Sequence, residues 1–235
     1  MKKPLVIGHK GEIGSFLVNG LLKYMDKALD ILCFDVNETQ EEVEERIKKS
    51  DVIFLCVPVK QTVNWLKTYK SLLSGKIIFE QASLKEWVYE QTSKDNLDLR
   101  SMHILFRPSG TPNLSDRRVA LFKNQFNIST AITPEEISKI TKSQIVWFTS
   151  IKEHDQEMAV QQALLHRTLL TLGELISKGT GRTYISQKIL ELCDRIKAGD
   201  SELYEFIQQN RHVSDALKDF SDNLKNFDIH KFFPL

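Results

Sequence analysis

Through roughly its first 150 residues the chain alternates short apolar runs with stretches of helical period. PLVIG (4–8), DILCFD (30–35) and DVIFLCVPV (51–59) are nearly unbroken in Val, Ile, Leu, Phe and Cys; an amphipathic stretch over 12–25 and a charged one near 40–49 separate them. Continuous runs rather than strict alternation mark strands of a parallel sheet covered by helices on both faces. The order is βαβαβ. Later runs, KIIFEQ (76–81), SMHILF (101–106), RVALF (118–122) and QIVWF (144–148), predict strands that extend the same sheet. In ETQEEVEERIKK, Glu44 precedes Lys48 by four residues and Glu45 precedes Lys49 by four, the spacing of a solvated helix face.

From Glu153 onward only helical periodicity remains, carried by Met158, Leu164, Leu165, Leu169, Leu172 and Ile176. Gly179 and Gly181 read as a helix stop and a loop before the next helix. The expected architecture is α/β: a Rossmann-type parallel-sheet domain over 1–150, followed by a smaller all-helical domain over 151–235.

Composition narrows the function classes. A length of 235 residues allows one large or two modest domains, and shares of 41% hydrophobic and 27% charged residues exclude a disordered or low-complexity chain. A formal net charge of +1 leaves no bulk attraction to nucleic acid or anionic membrane. Three cysteines without a CxxC pair suggest neither a disulfide framework nor a thiolate metal site, and fit a reducing cytoplasm. Cys33 and Cys56 in apolar strands and Cys193 on a helix read as inert core thiols. The N-terminus carries no secretory pattern, and the apolar run Val52–Val59 is far below the roughly 18–20 residues of a membrane span.

Candidate chemistry begins in VIGHKGEIG. Gly8, Gly11 and Gly14 lie between the first strand and the first helix, where backbone amides and a helix N-terminus receive a pyrophosphate. His9, Glu12 and Ile13 complete this candidate cofactor turn; a strict GxGxxG ending at Gly14 would need glycine at His9. Asp35 ends the second strand, where a carboxylate accepts from ribose hydroxyls and repels a 2′-phosphate, favouring NAD over NADP. Glycines in such a turn can also be purely structural.

Several motifs in order resemble the prephenate dehydrogenase family, in particular the dehydrogenase half of the chorismate mutase–prephenate dehydrogenase type. GHKGEIG resembles its GGxGxxG, and VIFLCVPV its strand ending in Val-Pro, which adds Val57 and Pro58 to the cofactor side. EQASLKE (80–86) is similar to Asp-Leu-Ala/Thr-Ser-Val-Lys and puts Ser83 on the active-site serine. MHILF (102–106) resembles LHPMF and puts His103 on the catalytic histidine. EHDQEMAVQQALLH (153–166) is the most specific match, with His154 as a second substrate contact. DRIKAGDSELY puts Arg195 on the arginine that holds a substrate carboxylate and Tyr204 on a neighbouring aromatic. Where the family has HPMFGP this chain has HILFRP, so Arg107 replaces a glycine and offers a further carboxylate contact. Ser109 replaces an acidic residue.

The resemblance implies NAD-dependent oxidative decarboxylation of prephenate, a small dicarboxylate, in tyrosine biosynthesis, by a homodimer joined through its helices. Such a reaction needs a group titrating near neutrality against the substrate hydroxyl, which imidazole supplies, and a planar cation for a carboxylate, which arginine supplies. Arogenate or another β-hydroxyacid-type substrate fits the same residues. So does a nucleotide-binding regulatory protein without turnover. Outside the resemblance, His103 also reads as a structural strand histidine, Ser83 as a loop serine, Arg195 as a surface charge, and His154 with Asp155 as a helix cap. Gln162 and His166 share an i,i+4 face but do not make HExxH, so no metal is expected.

Overall fold

Alternate residues of the central strands leave the sheet in opposite directions, and both sets are buried. In the computed structural model, which describes residues 3–24, 31–35, 38–110, 113–126 and 132–228, the strands are β1 (Pro4–Ile7), β2 (Leu32–Phe34), β3 (Val52–Leu55), β4 (Ile77–Glu80) and β5 (Asp98–Ser101). They form one parallel sheet in the order β2-β1-β3-β4-β5, with Val6 opposite Phe54 and Phe54 opposite Phe79. Met25 and Asp30, at the ends of the predicted first helix and second strand, lie outside the described residues.

Val6, Phe54 and Phe79 pack on one face against Leu17 and Leu21 of α1 (Glu12–Tyr24). Leu5, Ile7, Ile53 and Ile78 pack on the other face. Their partners are Val43 and Ile47 of α2 (Gln40–Lys49), Val63 and Leu66 of α3 (Val59–Thr68) and Val88 of α4 (Lys85–Thr92). This two-sided burial accounts for the unbroken apolar runs. α2 opens with a capping box between Thr39 and Glu42, and the Glu44–Lys48 and Glu45–Lys49 pairs form on its exposed side.

The expectation of a single extended sheet is corrected. SMHILF is not one strand: Ser101 ends β5, Met102 leaves the ladder, and His103–Ile104 forms a short β6. With β7 (Arg118–Phe122) and β8 (Gln144–Phe148) it makes a separate sheet, β6-β7-β8, antiparallel between β6 and β7 and parallel between β7 and β8. Met102 N–H points back to Glu80 O (3.0 Å), so Ser101 N–H points to the open side of β5, where Gln125 Oε1 takes it at 2.7 Å. A side chain therefore occupies a donor that another strand would need. The α5 helix (Pro134–Thr141), capped by Thr133 and Glu136, links β7 to β8 and buries Ile137 and Ile140 in the α1-side core. VIFLCVPV is also shorter as a strand than predicted, since β3 stops at Leu55 and Pro58 is the N-cap of α3.

The chain divides into two compact units, Met1–Glu153 and His154–Leu235. The second is helical: the end of α6 (Ile151–Met158), a π-helical segment Ala159–Leu164, α7 (Leu165–Ser177), α8 (Tyr184–Lys197), α9 (Ser201–Gln208) and α10 (Val213–Lys225). Ala159, Ala163, Ile207, Val213 and Ala216 form its core. The wide turn displaces backbone partners, and side chains stand in: Asn210 Nδ2 donates to Asp155 O (2.7 Å) and Gln208 Nε2 to Ala163 O (3.1 Å). No helix among the described residues is long and apolar enough to cross a membrane.

Phe79 is fully buried and stacks on Phe54 with ring centroids 5.2 Å apart. Phe79→Ala is expected to lower unfolding stability by about 3–5 kcal/mol in urea titrations, whereas Trp147→Ala, at a half-exposed ring, should cost much less.

Candidate functional site

The turn after β1 is built around backbone that only glycine accommodates. Gly8 has φ +78°, and a Cβ on Gly14 would lie 2.1 Å from Gly8 O, so the first turn of α1 sits directly on the loop. Gly8 N–H donates to Phe34 O at 2.9 Å and Gly11 N–H to Gly8 O at 3.1 Å, tying the turn to the end of β2. His9 occupies the family's glycine position without a positive φ, and its Nδ1–H donates to Phe34 O at 3.0 Å. Asp35 Oδ2 accepts from Lys10 N–H at 2.9 Å, so the carboxylate expected at the end of β2 braces the turn from below. Val57 and Pro58 follow β3, the neighbour of β1. Between β1 and β3 the chain path reverses direction across the sheet, which is where open α/β sheets bind ligands.

Glu12, the first residue of α1, holds the two residues that depart from the family pattern. Its carboxylate accepts from Arg107 Nε (3.0 Å), Ser109 N–H (2.8 Å) and Ser109 Oγ–H (2.6 Å). Desolvation alone would raise its pKa, but the Ser109 bonds and then Arg107 outweigh it and hold the group below the usual carboxylate range. Arg107 thus has a protein carboxylate as partner, and it neutralises a negative charge beside the helix N-terminus where phosphate would be received.

Ser83 and His103 come together. Ser83 follows the C-terminal end of β4 and His103 opens β6, two residues beyond the end of β5. Their Oγ and Nε2 atoms are 3.5 Å apart, at the long end of hydrogen-bond reach, and His103 is buried. Beneath them lies an ion pair that the sequence reading does not single out, Glu80–Lys85, with Lys85 Nζ 2.9 Å from Glu80 Oε1 and both side chains fully buried. Its trace in the sequence is an acidic residue closing the apolar run Ile77–Phe79, with a lysine five residues on. The Gln81 amide is also buried, with neither Oε1 nor Nε2 bonded among the described residues.

The remaining candidates belong to the helical unit. His154 and Asp155 are buried, His154 Nδ1 lying 2.8 Å from Asp155 Oδ1. They do not cap α6; Ser150 and Glu153 do, through Glu153 N–H to Ser150 Oγ (3.1 Å) and Thr149 N–H to Glu153 Oε2 (2.7 Å). Tyr204 packs edge-on against His166 at 4.9 Å, and Gln162 Oε1 and His166 Nδ1 are buried without a hydrogen-bond partner among the described residues. Burial pushes the His166 pKa below its ordinary value. Arg195 is exposed on α8. Among the described residues no cluster of three His, Cys, Asp or Glu could hold a metal, and burial raises the thiol pKa of Cys33 and Cys56.

A five-stranded parallel sheet with a glycine turn against the helix after its first strand defines a nucleotide-binding protein of the Rossmann class. The family profile described as prephenate dehydrogenase, nucleotide-binding domain, matches residues 24–147, over half of the chain. The chain belongs to the prephenate dehydrogenase family. The matched region contains Ser83 and His103 and starts beyond the glycine turn. No curated protein sequence matches the chain. Prephenate dehydrogenase from Aquifex aeolicus, solved with hydroxyphenyl propionate and NAD+, is similar in fold with a TM-score of 0.69 at 15% identity, covering 99% of this chain and 91% of its own. Synechocystis arogenate dehydrogenase has a TM-score of 0.64 at 18% identity, covering 95% and 90%. A candidate prephenate dehydrogenase from Corynebacterium glutamicum has a TM-score of 0.71 at 16% identity, covering 95% and 80%.

Two outcomes follow from these charges. Arg107→Ala leaves the Glu12 charge uncompensated and is expected to weaken dinucleotide binding roughly threefold to fivefold in calorimetric titration, with Glu12→Gln/Arg107→Ala restoring it. Because the folded-state pKa of His166 is depressed, the stability gained from its neutral form is present above about pH 6.5 and lost as pH falls through the lower folded value. Thermal melts from about pH 7.5 to about pH 5 should therefore show a smaller acid-side fall for His166→Phe than for the wild type.

Proposed function

We propose that the protein is an NAD-dependent dehydrogenase that converts prephenate to 4-hydroxyphenylpyruvate in the cytoplasm, as a step of tyrosine biosynthesis. The observation that carries this reading is the Ser83–His103 pair, just beyond the C-terminal ends of β4 and β5, on the same edge of the parallel sheet as the glycine turn. Family membership and the neighbour solved with NAD+ support the cofactor.

Gly8, His9, Gly11, Glu12, Ile13 and Gly14 would receive the pyrophosphate, with Val57 and Pro58 beside them. The close approach of Gly14 to Gly8 O fits such a group, since any larger side chain would fill the loop. Asp35 is suited to a ribose hydroxyl, and its carboxylate disfavours a 2′-phosphate. When bound, NAD+ supplies the hydride acceptor. His103 takes the proton of the ring hydroxyl as hydride leaves the carbon that bears it, Ser83 orients hydroxyl and imidazole, and loss of the ring carboxylate as carbon dioxide completes an aromatic ring. Arg195, His154 and Tyr204 would hold the rest of the dicarboxylate, an assignment that rests on the family motifs. In this reading Arg107 serves the site through Glu12. Homodimerisation through the helical unit is part of the proposal, supported by exposed Leu172, Leu175, Tyr184, Ile185 and Leu192 on α7 and α8.

The test is NADH formation, followed by its near-ultraviolet absorbance, with prephenate or arogenate and NAD+ or NADP+. Turnover of prephenate with NAD+ is expected, and His103→Asn should lower kcat by about 100-fold or more while NAD+ binding persists. Turnover of arogenate alone would reassign the substrate, and preference for NADP+ would contradict the role of Asp35. NAD+ binding with no turnover of either substrate would overturn the enzymatic reading in favour of a nucleotide-binding regulator.

A further inference from the structure

Glu80 and Lys85 are each 0% exposed, and their charges are removed from water entirely. Burying an ion pair is costly, and apolar residues of similar volume stabilise a fold as well or better. What an apolar pair cannot supply is direction, and the side-chain hydrogen bonds of this pair are directional. Glu80 Oε2 accepts from Ala82 N–H at 2.8 Å, and Glu80 Oε1 accepts from Ser101 Oγ–H. Lys85 Nζ donates to Met102 O at 3.1 Å and approaches Glu80 O at 3.4 Å, while Met102 N–H donates to Glu80 O at 3.0 Å.

Ala82 and Met102 are the residues immediately before Ser83 and His103. Met102 is also where the chain leaves the five-stranded sheet for the three-stranded one, and its N–H and C=O are bonded to Glu80 and Lys85 respectively. Without the Lys85 Nζ bond to Met102 O, the connection between the two sheets would keep only the backbone bond from Met102 N–H to Glu80 O at the residue that aims the imidazole. Side chains one step further out hold the same junction: Gln125 joins Ser101 N–H to the Tyr89 hydroxyl, which in turn donates to Leu99 O at 2.9 Å.

We infer that the Glu80–Lys85 pair is a positioning clamp that fixes the Ser83 turn and the His103 strand relative to each other, so that Oγ and Nε2 meet. The inference rests on the dehydrogenase reading for its consequence in catalysis, and on the geometry alone for its consequence in structure. Neither residue touches the reacting atoms in this role. Misplacing a catalytic group by an ångström costs on the order of 100-fold in rate.

The experiment compares wild type, Lys85→Met and the double variant Glu80→Gln/Lys85→Met. Because Lys85→Met alone strands a buried carboxylate and can fail to fold, the double variant, which has no buried charge, is the deciding protein. Circular dichroism establishes its fold, calorimetry its NAD+ affinity, steady-state kinetics its kcat and KM, and nitrogen-15 NMR the imidazole of His103, assigned with His103→Asn. The clamp predicts a folded double variant with NAD+ affinity and KM within about threefold of wild type, kcat reduced by about 100-fold, and shifted His103 imidazole resonances. A folded double variant with kcat within about twofold of wild type and unmoved His103 resonances would overturn it. A wild type that turns over neither prephenate nor arogenate counts against the dehydrogenase reading alone, and the imidazole resonances then decide the clamp: shifted supports it, unmoved overturns it.

Discussion

A parallel sheet covered on both faces leaves a ligand only its edges, and in this protein the C-terminal edge carries the candidate site residues. Leu5, Val6, Ile7, Ile53, Phe54 and Leu55 are all buried, on one face or the other, so no strand side chain in mid-sheet is available for polar work. What emerges at the edge is the glycine turn after β1, Asp35 after β2, Val57 and Pro58 after β3, Ser83 after β4 and His103 after β5. Their common placement follows from strand direction, since parallel strands bring every C-terminus to the same side.

Acidic groups at that edge illustrate how environment decides what a charge does. Glu12 is partly exposed, and its contacts with Arg107 and Ser109 are of the kind that contributes little to stability in water; in the proposed function they would keep a negative charge from opposing a phosphate at the start of α1. Asp35 is spent in part on Lys10 N–H and so shapes the loop. Glu80 is sealed from solvent, where its bonds to Ala82, Ser101 and Lys85 cannot exchange with water and can therefore fix geometry.

The parts of the fold that could be read from the sequence are those where one physical signal dominates. β1, β3 and β4 are apolar on both faces, and α2 carries its capping box and ion pairs in plain view. β5 was not predicted, because DLRS holds Asp98 paired with Arg100 at the rim of the sheet and shows no apolar run. The break at Met102 is invisible to hydropathy because the run goes on through Ile104, Leu105 and Phe106; the side chain that takes the Ser101 N–H, Gln125, lies 24 residues away. The π-helical segment was likewise hidden, since one widened turn leaves helical periodicity nearly unchanged. At the site, Ser83 and His103 were legible only through family motifs. Glu80 and Lys85 lie within the motif EQASLKE, but nothing in the sequence says that their charges pair inside the core, and Arg107 and Ser109 read as separate departures until Glu12 joins them.

These relations make one claim central: hydride moves from a substrate carbinol carbon to a nucleotide held by the glycine turn, with His103 taking the proton. The most direct measurement uses prephenate carrying deuterium on the ring carbon that bears the hydroxyl, incubated with the protein and NAD+ and analysed by mass spectrometry. Deuterium is expected in the reduced nucleotide, in step with release of carbon dioxide. Deuterium retained in the substrate, with no labelled reduced nucleotide formed, would contradict it.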